Sequence, residues 1–460
     1  MIAPVVILVS AAVAAAPAPR TLRLDYLHTG SATEERFAFD GLVLEGPWPG
    51  PPDRLVDDTN LGKYLYEVRD RKSDTLLYSR GFASIYGEWE TTGEAKERSR
   101  GFSESVRFPE PKQPVRVVLK KRGRGNEFEE AWSVSVDPAD PAIDRSGPPA
   151  ARAWAVIESG EPRDKVDLLL LGDGYTAAEM EKWHADARRL ADILFTRPPF
   201  KERRSDFNVW ALDTPSERSG VSRPSDGVYR RSALGAAYDA FGSERYVLDF
   251  HNKTLRDAAS AAPYEFIEIV ANDRKYGGGG IHNLYATVAA DNAFTPYVFV
   301  HEFGHHFAGL ADEYYTSAVA YQSGAERPEP WELNATADPQ AAKWKDLIAP
   351  GTPLPTPWPK EAFEAAQREI QERRRRIRAE KRPEQEMEAL FLEERERITK
   401  LLASGPHAGK VGAFEGALYE AKGYYRPQSD CTMFTRDEVG FCAVCRRAIE
   451  RVIDLYAPRR

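Results

Sequence analysis

The sequence predicts a chain in two parts, an antiparallel β-sandwich-like domain over residues 21–137 followed by an α/β domain over residues 151–460. Three observations carry this. Short segments that alternate apolar and polar residues fill the first part. A stretch with four prolines and little apolar content follows at residues 138–149, and the linker is set at 138–150. Beyond it the periodicity changes to buried strand runs separated by helical patterns.

Composition narrows the class. A chain of 460 residues is too long for one ordinary core. The balance of 63 basic against 71 acidic residues, a net charge of -8, argues against a nucleic-acid protein held by counterion release. Three cysteines cannot build a disulfide framework. Residues 2–16 form an apolar, alanine-rich run that is too short to span a bilayer and ends in small residues, although no Lys or Arg precedes it. It is expected to be a signal peptide over residues 1–16, which makes the protein secreted or periplasmic. No other run is apolar enough to predict a transmembrane segment.

Residues 22–26, 64–68, 115–119 and 131–136 alternate apolar and polar side chains between Gly, Pro and Asp punctuation, as half-buried strands do. After the linker, residues 166–171 read as a buried strand, and Thr176 caps a helix running to about Phe195. Residues 207–212 and 266–270 are further strands, with a helix near residues 252–259 between them. Four glycines at 277–280 are followed by neither Lys-Ser/Thr nor a helix, so they are expected to form a flexible rim to a cleft rather than a phosphate cradle. A strand is expected over residues 281–289. The next helix starts near Thr295, with Thr as its cap and Pro296 at the first helical position. Residues 360–402 carry Glu, Arg, Gln and Ala with sparse apolar spacing and a break at Pro383, which predicts two solvated helices inserted at about 360–403. The basic run at residues 373–376 belongs to that solvated face.

The chemistry lies on the helix that starts near Thr295. His301 and His305 are four residues apart, so both imidazoles leave one face and can meet one zinc ion. Glu302 lies beside them, where it can act as general base toward water at that ion. An apolar turn leads into the motif, and burying three histidines and a glutamate is costly unless they coordinate something. Gly309 ends the helix. Asp312 and Glu313 follow it with oxygen donors, and three protein ligands plus water is the arrangement of a catalytic rather than a structural zinc. His306 points about a hundred degrees from His305 around the helix, so it supports a ligand or packs in the core.

The pattern His-Glu-x-x-His-x-x-x-Gly-x-x-Asp-Glu resembles the metzincin signature, with one extra residue before the glycine and Asp where many members have a third His. Alignment on the glycine implies Asp312 as third ligand, with Glu313 as the alternative. The same resemblance implies a methionine turn beneath the zinc. Only Met387 and Met433 follow the motif, and Met387 lies in a charged helix, which leaves Met433. It also implies that the strand before the motif helix is a sheet edge to which an extended peptide can add, which suits residues 281–289 as well as a covered edge would.

More narrowly, the segments at residues 276–280, 309–314, 351–356 and 441–446 resemble the IgA-peptidase family of zinc metallopeptidases, and the preceding β domain is similar to that family's N-terminal domain. The resemblance implies an α/β zincin (metzincin-like) fold and a secreted zinc endopeptidase acting on a protein or peptide substrate, and it leaves open whether IgA is that substrate. Tyr424 and Tyr425, just before Met433, are positions from which a phenol could stabilise an oxyanion. Cys431, with Cys442 or Cys445 as partner, is expected to form one disulfide; a second zinc site lacks an identifiable fourth ligand. Two other readings stay open: a surface adhesion module with a non-catalytic metal, which an intact Glu302 disfavours, and a zinc amidase acting on non-peptide substrates.

Overall fold

The computed structural model describes residues 19–317, 319–321 and 326–457. The expected signal peptide lies outside them. The N-terminal region contains β1 (Arg20–Gly30), β2 (Glu35–Pro47), β3 (Tyr64–Asp70), β4 (Leu76–Phe82), β5 (Arg100–Pro109), β6 (Val115–Arg122) and β7 (Phe128–Val136), with short helices α1 (Ile85–Trp89) and α2 (Gly93–Glu97) between β4 and β5. Among the described residues they form two antiparallel sheets, ordered β2-β1-β5 and β4-β3-β6-β7. The side-chain period of two explains the core: Leu22, Leu24 and Tyr26 of one sheet meet Tyr66, Val117 and Leu119 of the other.

The stretch after β7 is not a free tether. Asp144 exchanges backbone hydrogen bonds with Leu42 (2.9 Å) and Leu44 (2.8 Å) of β2, and Ile143 is buried. The sequence expectation of a linker rested on its prolines, which exclude regular structure but not attachment to a neighbouring strand.

The second part is mixed α/β. Its sheet uses β8 (Ala153–Ile157), β9 (Val166–Asp173), β10 (Phe207–Leu212), β11 (Phe266–Ala271), β12 (Gly278–Ile281) and β13 (Tyr285–Ala289), in the order β12-β13-β11-β9-β10-β8 among the described residues. The inner four strands are parallel, and both outer strands run antiparallel to their neighbours. The apolar run of β9 divides by parity. Leu168 and Leu170 face α3 (Met180–Leu194) and α5 (Thr295–Ala308), whereas Leu169 and Leu171 face α4 (Asn252–Ala259) together with Ile85, Tyr86 and Trp89 of the N-terminal region. That region therefore covers one face of the sheet and shares its core.

Four local expectations need correction. The glycines at 277–280 are not a flexible rim, because three of them belong to β12. The strand expected over residues 281–289 is broken at its start by a turn with Asn283 at φ +53°, which folds β12 back onto β13. Thr295 is the first residue of α5 rather than its cap; its Oγ1 accepts from Asn292 N–H (3.1 Å) and donates to Ala289 O (2.6 Å). Thr176 caps, through a capping box with Glu179, the single 3-10 turn Ala177–Glu179 that leads into α3, and not α3 itself, whose N-cap position is Glu179; α5 ends at Gly309 in the left-handed region (φ +56°).

The remaining elements are α6 (Lys360–Ala379), α7 (Glu384–Ala403), β14 (Phe414–Ala417), β15 (Glu420–Arg426) and α8 (Ala443–Tyr456). The hairpin of α6 and α7 is solvated on one side only. Phe363, Ile370, Met387, Phe391 and Ile398 are buried against the main core, and Glu388 accepts from the Ala293 N–H at 3.1 Å beside the start of α5. Arg373 does pair at the surface with Glu393 (2.6 Å), but Arg374 turns inward over the Phe391 ring.

Candidate active site

β12 and α5 touch so closely that only glycine fits between them. A Cβ on Gly280 would stand 2.2 Å from the Glu302 carbonyl oxygen and 3.0 Å from the His305 Cβ, and one on Gly278 would meet Val298 Cγ1 at 2.6 Å. The sequence thus trades side chains on the edge strand for a helix laid directly against it. The alternation of an antiparallel ladder sets the backbone polarity of that strand. Gly278 is occupied on its outer side, donating to Arg245 O (3.1 Å) and accepting from Val247 N–H (3.2 Å). Gly280 points the same way, lines the main cavity, and among the described residues has no backbone partner there.

The helical period places His301 and His305 one turn apart, and Gly309 turns the chain so that Asp312 returns beneath them. His301 Nε2 and His305 Nε2 lie 3.2 Å apart, and Asp312 Oδ1 is 3.1 Å from the first and 3.2 Å from the second. Each group is held from behind. His301 Nδ1 donates to Thr432 O (2.9 Å), His305 Nδ1 donates to Leu310 O (2.5 Å), and the Tyr419 hydroxyl donates to Asp312 Oδ2. Both rings therefore turn Nε2 inward. Asp312 Oδ1 is buried and makes no hydrogen bond of acceptable geometry.

Around a tetrahedral ion with bonds of about 2.0–2.1 Å, donor atoms stand about 3.3–3.4 Å apart. The three inward atoms match that spacing within a few tenths of an ångström. The electrostatics point the same way. Burial disfavours charge on both Asp312 and His305, yet their mutual attraction prevails: Asp312 is held well below the carboxylate range and His305 is pushed up to about 9. A carboxylate that draws positive charge to this point also favours a cation there.

Glu302 stands half-buried beside this triangle on the wall of a cavity of about 470 Å³. Burial raises its carboxyl group, with His301 and His305 opposing the shift. The opposite wall comes from the N-terminal region, including Lys63, Glu88 and Arg122.

Other sequence-predicted residues are placed differently. Glu313 is turned away from the histidines; its Oε1 accepts from Asn334 Nδ2 (2.9 Å) and lies 3.4 Å from Cys445 Sγ. Tyr424 lines the cavity, but its hydroxyl is spent on Pro328 O (3.0 Å). Tyr425 does not line it, by the alternation along β15. The expected disulfide is absent: all three cysteines are free, and Cys431 Sγ lies 3.8 Å from Cys445 Sγ. Met433 is buried under α5, with its sulfur 3.1 Å from where a Gly304 Cβ would be, and its carbonyl accepts from Glu313 N–H (2.8 Å). His306 is a packing residue. It donates to Ile281 O (3.0 Å) and accepts from Ile267 N–H (3.1 Å), and burial lowers it to about 3, so it stays neutral.

Sequence reasoning missed Tyr419, which follows Leu418 through a pair of left-handed residues (φ +50° and +64°) and carries no motif. It also missed Arg245, which donates to the Tyr314 hydroxyl at 3.0 Å on the cavity wall.

Comparison with curated proteins returns no match. The family model described as IgA Peptidase M64 matches residues 155–453, and that described as Peptidase M64 N-terminus matches residues 15–133. The two matches take in both the sheet that carries α5 and the region that walls the cavity, and the chain belongs to the IgA peptidase M64 family, a family of peptidases.

Proposed function

We propose that the protein is a secreted zinc endopeptidase of metzincin-like architecture, with His301, His305 and Asp312 as metal ligands and Glu302 as general base. The observation that carries this is the triangle of His301 Nε2, His305 Nε2 and Asp312 Oδ1 with edges of 3.1–3.2 Å, one corner of which is a buried oxygen without a hydrogen bond. A zinc ion held there supplies Lewis acidity toward the scissile carbonyl and toward water.

The chain's own groups account for the rest. Glu302, raised by burial, takes the proton of the attacking water and carries it to the leaving amine. The outward N–H and C=O of Gly280 can pair with an extended peptide main chain, which brings a peptide bond past Glu302 without selecting its side chains. Tyr314 and Tyr419 line the cavity together with Tyr424, whereas Tyr425 does not. Met433 beneath α5 supports the methionine-turn reading. The alanine-rich residues 2–16 support export.

The test is a cleavage profile on a proteome-derived peptide library, read by mass spectrometry with and without a chelator. Internal cleavages that vanish with the chelator and return with zinc are expected. Cleavage that ignores the chelator would sink the metal mechanism. An inactive protein that keeps its metal would favour the adhesion reading, and amide release only from non-peptide substrates would favour the amidase. Export is tested by sequencing the N-terminus of the protein recovered outside the cytoplasm.

A further inference from the structure

On the far side of the chain segment that carries Asp312 lies a second group of donors. Glu313, Cys431, Cys442 and Cys445 are all buried, and one donor atom from each falls within 4.8 Å of the others. The sulfurs of Cys431 and Cys445 are 3.8 Å apart, and Glu313 Oε1 is 3.4 Å from Cys445 Sγ. Zinc–thiolate bonds of about 2.3 Å and zinc–carboxylate bonds of about 2.0 Å set tetrahedral edges of about 3.8 Å between sulfurs and about 3.5 Å between sulfur and oxygen. These two edges agree, and the remaining ones lie within 4.8 Å.

The sulfurs are also presented as thiolates are in metal sites. The Cys442 N–H donates to Cys431 Sγ (3.2 Å) and the Cys445 N–H donates to Cys442 Sγ (3.4 Å), so the start of α8 turns two amides toward sulfur. A second, independent observation points to a ligand: Glu313 Oε2 is buried with no hydrogen-bond partner among the described residues, a costly arrangement unless something else meets it. The buried Arg426 guanidinium, whose field reaches both Glu313 and Cys431, offsets part of the negative charge.

We propose that Glu313, Cys431, Cys442 and Cys445 form a second metal site, a closed structural zinc centre. Filling it releases the thiol protons to solvent as the sulfurs become ligands. All four positions are protein ligands, which leaves no open place for substrate and separates its role from the site at His301. It ties together the chain after α5, the loop that carries Met433 and the first turn of α8. Because Asp312 precedes Glu313 directly, the centre fixes where Asp312 stands.

The full-length chain decides this through metal content and spectroscopy rather than activity. The double variant H301A/H305A, dialysed against metal-free buffer, is expected to keep one equivalent of zinc. After exchange into cobalt it should display a thiolate-to-cobalt charge-transfer band and intense tetrahedral visible bands. Adding C442S/C445S should remove both the metal and the bands. If that variant fails to fold, the folded H301A/H305A protein still decides, since metal removal should expose three thiols to a thiol reagent that the zinc form withholds. Absence of zinc from H301A/H305A, cobalt uptake without a thiolate band, or a disulfide among the three cysteines in the mass spectrum would each overturn the proposal.

Discussion

Replacing Glu302 by glutamine keeps the shape of the cleft and removes the proposed base. The E302Q protein should retain its metal and its fold while turnover falls by roughly 10²–10⁴-fold, as loss of general-base catalysis does; turnover near wild type in a peptide assay would refute the mechanism. Asp312 and Tyr419 should separate by magnitude. The D312A variant removes the proposed donor outright, whereas Y419F removes only the hydroxyl hydrogen-bonded to it, and outer partners of this kind cost about 10–100-fold in metal affinity. Competition with a chelator should rank D312A well below Y419F, and equal losses would mean that Asp312 is not a ligand. At this scale the nearness of His301, Glu302, His305 and Asp312 to one another was legible in the sequence, because one helical turn and one left-handed glycine fix their relation. Asp312 was preferred to Glu313 there only through alignment on the glycine. Which of two adjacent carboxylates turns inward depends on Asn334 and on a cysteine group more than a hundred residues away, which hold Glu313 from the other side.

The contact between β12 and α5 is the element that holds the site against the sheet. The G280A variant drives a methyl group toward the backbone of Glu302, which the helix cannot relieve by a rotamer change. A loss of about 1–3 kcal/mol in stability, typical of overpacking, is expected in urea unfolding, together with reduced peptidase activity. A fully active, fully stable G280A protein would show that the two elements tolerate separation. The glycines were visible in the sequence, but their reason was not. Four in a row suggest mobility when read locally, and only the packing of a helix onto their backbone shows that they serve close approach. The hairpin of α6 and α7 failed for a related cause: its apolar residues are few, yet they lie on one face, and the charges that dominate its composition occupy the other.

Taken as a whole, the molecule joins its two parts through a shared core, and the stability of the N-terminal region should register in the whole. His28 is buried there between the rings of Phe37 and Tyr86, with Nδ1 2.8 Å from Glu104 and Nε2 2.8 Å from Glu35. Tyr26 and Tyr64 donate to the same two carboxylates, and Lys121 pairs with Glu35 at 2.7 Å. Burial alone would lower His28, but the two glutamates prevail and raise it above 6.5. Its contribution is therefore complete below the unfolded value and is lost as pH rises through the higher folded value. Wild-type protein should unfold at progressively lower urea as the buffer moves from mildly acidic to alkaline, and H28Q should flatten that slope. An unchanged slope in H28Q would assign it to other groups. The β-rich character of this region was legible from alternation, whereas its attachment to the sheet was not, since Ile85, Tyr86 and Trp89 reach Leu169 and Leu171 across a distance that no local pattern records.

The bare backbone at Gly280 has a consequence for what the enzyme can discriminate. A wall without side chains cannot read the letters of a substrate, only whether a stretch of it will lie straight. Digestion of a folded protein should therefore trace the segments that come loose, and the cut sites should coincide with the amides that exchange fastest with deuterium. Unfolding the same substrate should multiply the sites without confining them to particular residue types. Cuts confined to one short motif in both folded and unfolded forms would mean that the reading is done elsewhere, by the N-terminal wall of the cleft.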